Sequence, residues 1–148
     1  MAENQTHFSI RVTDQADGPE GQVIQNHLRA EVELEFGAAD RQSFLAVVED
    51  SNHEICAGLR GFSHWSWLYI NQLWTSKSHR SSGLGQKLIA AAEAEAHKRG
   101  LSGLYVDTFS DRARQFYLRN GFEEFGKIAG FPPGFSRYFL KKEPLAKL

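Results

Sequence analysis

The sequence predicts one α/β domain with a central mixed sheet, mostly antiparallel with one parallel pair of strands, flanked by helices. Residues 42–49 and 54–62 are short apolar runs joined by a turn, which indicates an antiparallel hairpin. Across residues 65–107 a strand, a long alanine-rich helix and another strand follow one another, which implies a parallel pair with a right-handed crossover. Residues 122–128 and 135–141 then predict two closing strands.

The first expected elements are a strand and an amphipathic helix. Residues 8–13 alternate apolar and polar side chains, as a half-buried strand does. Pro19 suits the opening position of a helix, and Gly37 suits the position just after its end. Between them an apolar residue recurs every four positions. The pattern predicts one buried stripe, made of Ile24, Leu28, Val32 and Phe36.

The middle of the chain supplies the parallel pair. The aromatic-rich run at residues 65–75 predicts a strand, and a helix is expected from about Gly83 to Arg99, followed by Gly100. The helical period turns five residues toward the sheet, namely Leu84, Leu88, Ala91, Ala92 and Ala96. The chain then returns through a strand at residues 101–107. This order places the start of the helix next to the end of the preceding strand.

The last elements are a short helix and the closing hairpin. Ser110 is a suitable N-cap for a helix that Gly121 ends. The turn of the hairpin falls at Pro132-Pro133-Gly134, because proline and glycine favour turns.

Composition limits the classes of function. The 148 residues are expected to form a single domain over residues 1–148, and the formal charge of −1 argues against nucleic acid as a partner. Cys56 is the one cysteine, which fits a reducing cytoplasm. No apolar run approaches the roughly 20 residues of a membrane span, and the polar start lacks the apolar core of a signal peptide. Six scattered histidines without ligand spacing predict no metal site.

An anion-binding loop is the strongest local signal. Gly83 and Gly85 open the long helix, whose first N–H groups lack partners within the helix and carry the positive end of its dipole. The two glycines leave room for a bulky diphosphate, and four side chains around them can donate hydrogen bonds, namely Lys77, His79, Arg80 and Lys87. The loop therefore predicts a phosphate site.

Other interpretations of this loop remain open at this point. Many helices begin with a glycine-rich turn and bind nothing there. A P-loop requires Gly-Lys-Ser/Thr, which is absent, and the dinucleotide fingerprint fails at its third glycine, where Leu88 stands. Asp107 nevertheless follows the glycines at about the separation in sequence at which that fingerprint has its ribose-binding carboxylate.

Two motifs in the same order resemble those of the GNAT superfamily of acetyl-CoA-dependent N-acetyltransferases. The first is Arg80-x-x-Gly83-x-Gly85 after a strand, and the second is the segment from Ala113 through Phe116-Tyr117 to Gly121-Phe122. The resemblance is close over about residues 73–141 and favours a small bacterial type. It implies the acyl-CoA N-acyltransferase fold, in which the parallel strands are splayed, with acetyl-CoA as cosubstrate and no metal.

The resemblance also assigns residues to the cofactor. A β-bulge near Leu73 would splay the strands and open a notch for the pantetheine arm. Backbone groups expected to contact this arm belong to Leu73, Trp74 and Thr75. Residues expected to bind the diphosphate are Arg80, Ser81, Ser82, Gly83, Leu84 and Gly85. Ser110 stands where many members have a cofactor-binding Asn, and its hydroxyl is expected to bind the cofactor while capping the helix.

The catalytic assignments rest on Tyr117 and Asp107. Alone, Tyr117 on an apolar helix face is typical of a core tyrosine; the resemblance implies a general acid beside the CoA sulfur. The family base is commonly a Glu on the strand before the anion loop, where this chain has Tyr69 and Asn71. Asp107 is then the best available carboxylate, with a structural role in the turn before Ser110 as the alternative.

The function implied is transfer of an acetyl group from acetyl-CoA to a primary amine, on a small molecule or peptide, by direct attack in a ternary complex. Two alternatives are a non-catalytic acyl-CoA sensor with the same fold and a nucleotide-dependent oxidoreductase. A cytoplasmic protein without nucleic-acid or membrane partners is expected, and a homodimer is left open.

Overall fold

The computed structural model describes residues 7–145. The chain divides into two compact units, Met1–Ala38 and Ala39–Leu148. The single domain expected over residues 1–148 stays a prediction. None of the helices described within residues 7–145 combines the length and the apolar content that crossing a membrane requires.

The first unit contains helix α1, Pro19–Phe36. Its predicted limits are confirmed, with Pro19 in the first turn and the Gly37 N–H donating to Glu33 O at 3.0 Å. The expected burial of its apolar stripe is wrong, because no residue of α1 is buried. A helical period identifies which side chains share a face and does not identify what covers that face.

Residues 8–13 do not form the predicted strand. Phe8, Ile10 and Val12 are 89%, 95% and 92% exposed. Alternation predicts which side chains a strand would bury, whereas the strand itself requires a hydrogen-bonded neighbour, which the pattern does not specify.

The second unit is a six-stranded sheet in the order β1-β2-β3-β4-β6-β5. Its strands are β1 Gln42–Glu49, β2 Ile55–His64, β3 Trp67–Thr75, β4 Gly103–Thr108, β5 Glu123–Ala129 and β6 Ser136–Lys142. Its α-helices are α2 Leu84–Lys98 and α3 Asp111–Arg119. All neighbouring strands are antiparallel except β3 and β4, so the predicted mixed sheet with one parallel pair is confirmed.

The core lies between α2 and the middle strands. The largest fully buried side chains are Leu59, Leu68, Ile70, Ile89, Leu104 and Leu140. Within α2, Leu88, Ala92 and Ala96 face the core as predicted, while Ala91 is exposed and Ile89 is buried in its place. Close packing of small alanine side chains lets the helix approach the sheet, which fixes the position of its N-terminal end.

The parallel strands separate after a short shared stretch. Their register runs from Trp67 opposite Gly103 to Ile70 opposite Val106, and β3 then continues to Thr75 beyond its last partner in β4. On the other side of β3, Arg60 pairs with Gln72 and Gly61 with Ile70, which leaves Asn71 as an extra residue. This β-bulge lies two residues before Leu73, near which it was expected, and β-bulges bend a strand away from its neighbour.

Candidate active site

A cavity of about 900 Å³ opens where β3 and β4 separate, between the start of α2 and helix α3. Thirteen of its lining residues belong to the motifs or segments that the sequence analysis named, and they are Leu73, Trp74, Thr75, His79, Arg80, Ser81, Gly83, Leu84, Gly85, Ser110, Ala113, Phe116 and Tyr117. Segments distant in sequence therefore meet at one site. Ser82 and Asp107, which were also predicted, do not line this cavity.

The start of α2 offers unpaired N–H groups to the cavity. The N–H of Lys87 donates to Gly83 O at 3.1 Å and closes the first turn. The N–H groups of Leu84, Gly85 and Gln86 precede that bond, and no side chain caps the helix. Because an uncapped helix start carries partial positive charge and free donors, it can bind a phosphate there.

The two loop glycines are needed for different reasons. Gly83 has φ +81°, a left-handed conformation that side chains disfavour, although a Cβ added there would meet nothing within 4 Å. At Gly85 a Cβ would lie 3.0 Å from the Phe116 ring. Gly83 therefore sets the turn, and Gly85 lets α3 pack against the start of α2.

Side chains hold the loop before α2 in shape. Arg80 Nε donates to Thr75 O at 3.3 Å, and Ser76 Oγ lies 2.7 Å from His79 Nδ1. The Ser82 hydroxyl donates to His79 O, so its side chain is used within the loop. These contacts fix the loop against the end of β3.

Helix α3 brings Ser110 and Tyr117 to the cavity. Ser110 Oγ accepts from Ala113 N at 3.2 Å, which confirms the predicted cap and leaves the hydroxyl hydrogen free to donate. Tyr117 is 4% exposed, with its ring edge-on to Phe116 and Phe122 at centroid distances of 5.3 and 5.2 Å. Its position is therefore fixed by aromatic packing on both sides.

The hydroxyl of Tyr117 stays protonated at neutral pH. Burial raises its pKa well above the usual value of a phenol, and the negative charge of Asp107 and the nearby Tyr69 raise it further. A phenol that keeps its proton is suited to donate a hydrogen bond to an atom in the cavity.

Asp107 belongs to a partly buried network with Tyr69 and Arg137. The Tyr69 hydroxyl donates to Asp107 Oδ1, and Arg137 Nε donates to Asp107 Oδ2 at 2.7 Å. Burial, the hydrogen bond to Asp107 and its charge raise the pKa of Tyr69 to about 12. The turn before α3 is instead held by Ser110 N donating to Thr108 Oγ1 at 3.2 Å.

Several residues of the site were not identified from the sequence. Those lining the cavity are Gln86, Arg112, Arg119 and Asn120. Arg112 and Arg119 lie seven positions apart on α3, a spacing that could have indicated a shared face. No sequence pattern indicated that Arg137 contacts Asp107, because this contact depends on the register between β4 and β6. Within residues 7–145, no three His, Cys, Asp or Glu side chains gather in a metal-binding arrangement.

The raised pKa values of Tyr69 and Tyr117 predict a loss of stability at alkaline pH. Unfolded tyrosines ionise near pH 10, whereas the pKa of Tyr69 in the folded protein is about 12. Their contribution is therefore complete below pH 10 and is lost as pH rises toward 12. Urea unfolding at pH 8, 10 and 11 should show a falling free energy of unfolding, and Tyr69→Phe should make that fall shallower. An equally steep fall in the variant would contradict this assignment.

Comparisons with known proteins agree on one activity. The sequence model of the Acetyltransferase (GNAT) family matches residues 11–122. Acetyltransferase Atu2258 of Agrobacterium fabrum is 32% identical over 131 residues, which are 88% of this chain and 96% of that protein. Blasticidin-S acetyltransferase of Streptomyces morookaense is 40% identical over 91 residues, 61% of this chain and 67% of that protein. A crystal structure of an acetyltransferase from Bacillus cereus aligns with a TM-score of 0.80 at 26% identity, covering 92% of this chain and 97% of that one.

Proposed function

We propose that this chain, which belongs to the acetyltransferase (GNAT) family, acetylates a primary amine of a small molecule by direct attack of the amine on acetyl-CoA. That the chain is an acetyl-CoA-dependent acetyltransferase follows from its family and its named relatives. The relative named for blasticidin S supports a small-molecule acceptor. A peptide acceptor, a homodimer, the absence of a metal and a cytoplasmic location stay predictions.

One observation carries the proposal: the uncapped start of α2, the end of β3 that has no partner in β4, and the buried Tyr117 face the same cavity. A diphosphate, a pantetheine arm and a thioester follow one another along acetyl-CoA in that order. The arrangement therefore suits a long molecule whose anionic part sits at the helix and whose reactive end reaches Tyr117.

The residues present fit acetyl-CoA in their chemistry. Free N–H groups at residues 84–86 would donate to diphosphate oxygens, and Arg80 adds a positive charge beside them. Backbone groups of residues 73–75 lie beyond the last pair of β3 and β4, so they would bind the amide groups of the pantetheine arm. Ser110 keeps one hydroxyl hydrogen to donate.

Removing a proton from the acceptor is the first chemical requirement. A lysine-like ammonium has a pKa of about 10.4, so its neutral form at pH 7 lies about 4.6 kcal/mol uphill. We assign Asp107 as the base, acting through Tyr69, whose hydroxyl donates to Asp107 Oδ1. As the Tyr69 oxygen takes the proton of the amine, its own proton passes to Asp107. This shared transfer needs no free tyrosinate.

The second requirement is to stabilise the departing sulfur. The nitrogen forms a bond to the acetyl carbon, the carbon–sulfur bond breaks, and CoA leaves as a thiolate, which gains the second proton that the nitrogen loses as the amide forms. We assign the Tyr117 hydroxyl as the hydrogen-bond donor to this sulfur, because burial keeps it protonated. A raised pKa makes complete proton transfer uphill, so the hydroxyl steadies the sulfur and the proton arrives as CoA departs.

Direct attack is favoured over an acetyl-enzyme. Cys56 is the one cysteine of the chain, and it is buried in β2 with Sγ donating to Val48 O at 3.4 Å. A thiol in that position lies outside the cavity and cannot carry the acetyl group there.

Steady-state kinetics with acetyl-CoA and a panel of primary amines tests the proposal. The panel contains arylalkylamines, polyamines and aminoglycosides, with a lysine peptide as comparison. Intersecting double-reciprocal plots are expected for at least one small amine, with no acetyl-enzyme on rapid quenching. Parallel plots, a trapped acetyl-enzyme or transfer to the peptide alone would overturn it.

The left-handed Gly83 predicts a specific loss of cofactor binding. Gly83→Ala should destabilise the protein by about 1 kcal/mol, because a side chain disfavours this backbone conformation. Reorienting the turn should also weaken CoA binding by about tenfold, measured by calorimetry. Gly100 is the matched control, since it has φ +70°, equally open space and a position past the other end of α2. Gly100→Ala should lose similar stability and keep CoA affinity.

A further inference from the structure

A second cavity, of about 370 Å³, lies on the sheet face that carries Tyr69. It is lined by His64, Trp67, Tyr105, Phe125 and Lys141. Cavities of this size bind small molecules, and an aromatic lining favours apolar or planar groups. Neither the sequence motifs nor the diphosphate site accounts for it.

Aromatic contacts connect this cavity to the proposed base. Tyr105 stacks on Tyr69 at a centroid distance of 4.8 Å, and Trp67 meets Tyr105 edge-on at 6.3 Å. Tyr69 in turn donates to Asp107, and both groups raise the pKa of Tyr117. The contacts from Trp67 through Tyr105 and Tyr69 to Asp107 therefore connect the small cavity to the proposed base.

The charges at the second cavity argue against a cationic occupant. Lys141 is the charged residue of the lining, and its Nζ lies 3.6 Å from Glu123 and 3.5 Å from Glu143. His64 Nδ1 lies 3.7 Å from Asp40. None of the five described lining residues carries a carboxylate. A cationic ligand would therefore be repelled by the Lys141 ammonium, with no negatively charged lining residue to attract it. An anionic group would compete with the two glutamates that already neutralise Lys141.

We propose that this cavity holds an uncharged aromatic ring of the acceptor, so that the preferred acceptors are arylalkylamines. This inference rests on the proposed function. Tyr105 and Asp107 share a face of β4 at a separation of about 6.6 Å along the strand. A spacer of about two carbons would then join a ring beside Tyr105 to an amine at the Tyr69–Asp107 pair.

Matched amines test the ring site. We expect phenethylamine to exceed ethylamine in kcat/KM by about 10- to 100-fold because it buries a ring, with 2-cyclohexylethylamine between them. Phe125→Ala should lower the value for phenethylamine by about threefold to tenfold and leave that for ethylamine unchanged. Phe125 is 56% exposed, so the change should not unfold the protein. Ile128→Ala, on the same strand and 48% exposed, should change neither value.

The outcomes separate the ring site from the acetyl transfer itself. Equal kcat/KM values for phenethylamine and ethylamine would overturn the ring site without contradicting acetyl transfer. The same conclusion would follow if the ratio of the two kcat/KM values were unchanged in both Phe125→Ala and Tyr105→Leu. If no amine is acetylated although CoA binds, the proposed function fails. Saturation-transfer NMR with phenethylamine then decides the ring site alone, since contact with the ring should be lost in Phe125→Ala and kept in Ile128→Ala.

Discussion

Replacing Tyr117 by Phe should lower kcat by about 100-fold while CoA affinity changes little. The phenyl ring preserves the packing against Phe116 and Phe122, so the protein should stay folded and the cavity intact. The loss isolates the hydroxyl, which burial keeps protonated and which we assign to the departing sulfur. Steady-state kinetics gives kcat, and calorimetry with CoA gives the affinity.

A second tyrosine provides the control for this variant. The Tyr138 hydroxyl donates to Asp111 at 3.1 Å, and Tyr138 lies on β6 outside the large cavity. Tyr138→Phe removes a hydroxyl in the same way and should retain the wild-type kcat. If Tyr117→Phe also retained it, the hydroxyl would have no part in the reaction and the tyrosine would be a core residue.

Replacing Asp107 by Asn should lower kcat/KM by about 100- to 1,000-fold near pH 7. The amide cannot take a proton through Tyr69, and Arg137 loses its anionic partner. Activity should recover as pH rises toward the pKa of the acceptor, because the amine then arrives neutral and needs no base. The pH profile of kcat/KM separates this effect from simple loss of structure.

Two further variants sharpen the assignment of the base. Tyr69→Phe removes the hydroxyl between the amine and Asp107, so it should reproduce most of the loss without removing a charge. Asp50→Asn changes a hairpin carboxylate that accepts from Asn52 N and Glu54 N, far along the chain from the site. It should keep full activity. A Tyr69→Phe enzyme as active as the wild type would exclude the relay, and Asp107 would have to act on the amine directly.

The sequence predicted the elements of the sheet unit well because each one rests on local signals. Pairing of β1 with β2 follows from two apolar runs and a short turn, and the parallel pair follows from the helix between its strands. The diphosphate loop was equally accessible, since glycine spacing and a helix start define it within a few residues. The N-cap of α3 at Ser110 was likewise predictable from a local signal.

What the sequence did not predict depends on contacts between distant segments. Arg137 reaches Asp107 only through the register of β6 against β4, and no local pattern encodes that register. The aromatic cavity likewise combines residues from several strands, so the sequence did not indicate that Trp67 and Tyr105 line the same cavity. The wrong prediction of a strand at residues 8–13 has the same cause, because an alternating pattern does not specify the neighbouring strand with which it would pair.

A crystal structure with bound CoA tests the central claim most directly. We expect the diphosphate oxygens to accept from the N–H groups of residues 84–86 and the sulfur to lie within hydrogen-bond distance of the Tyr117 hydroxyl. A diphosphate bound away from the start of α2, or a sulfur out of reach of Tyr117, would contradict the account.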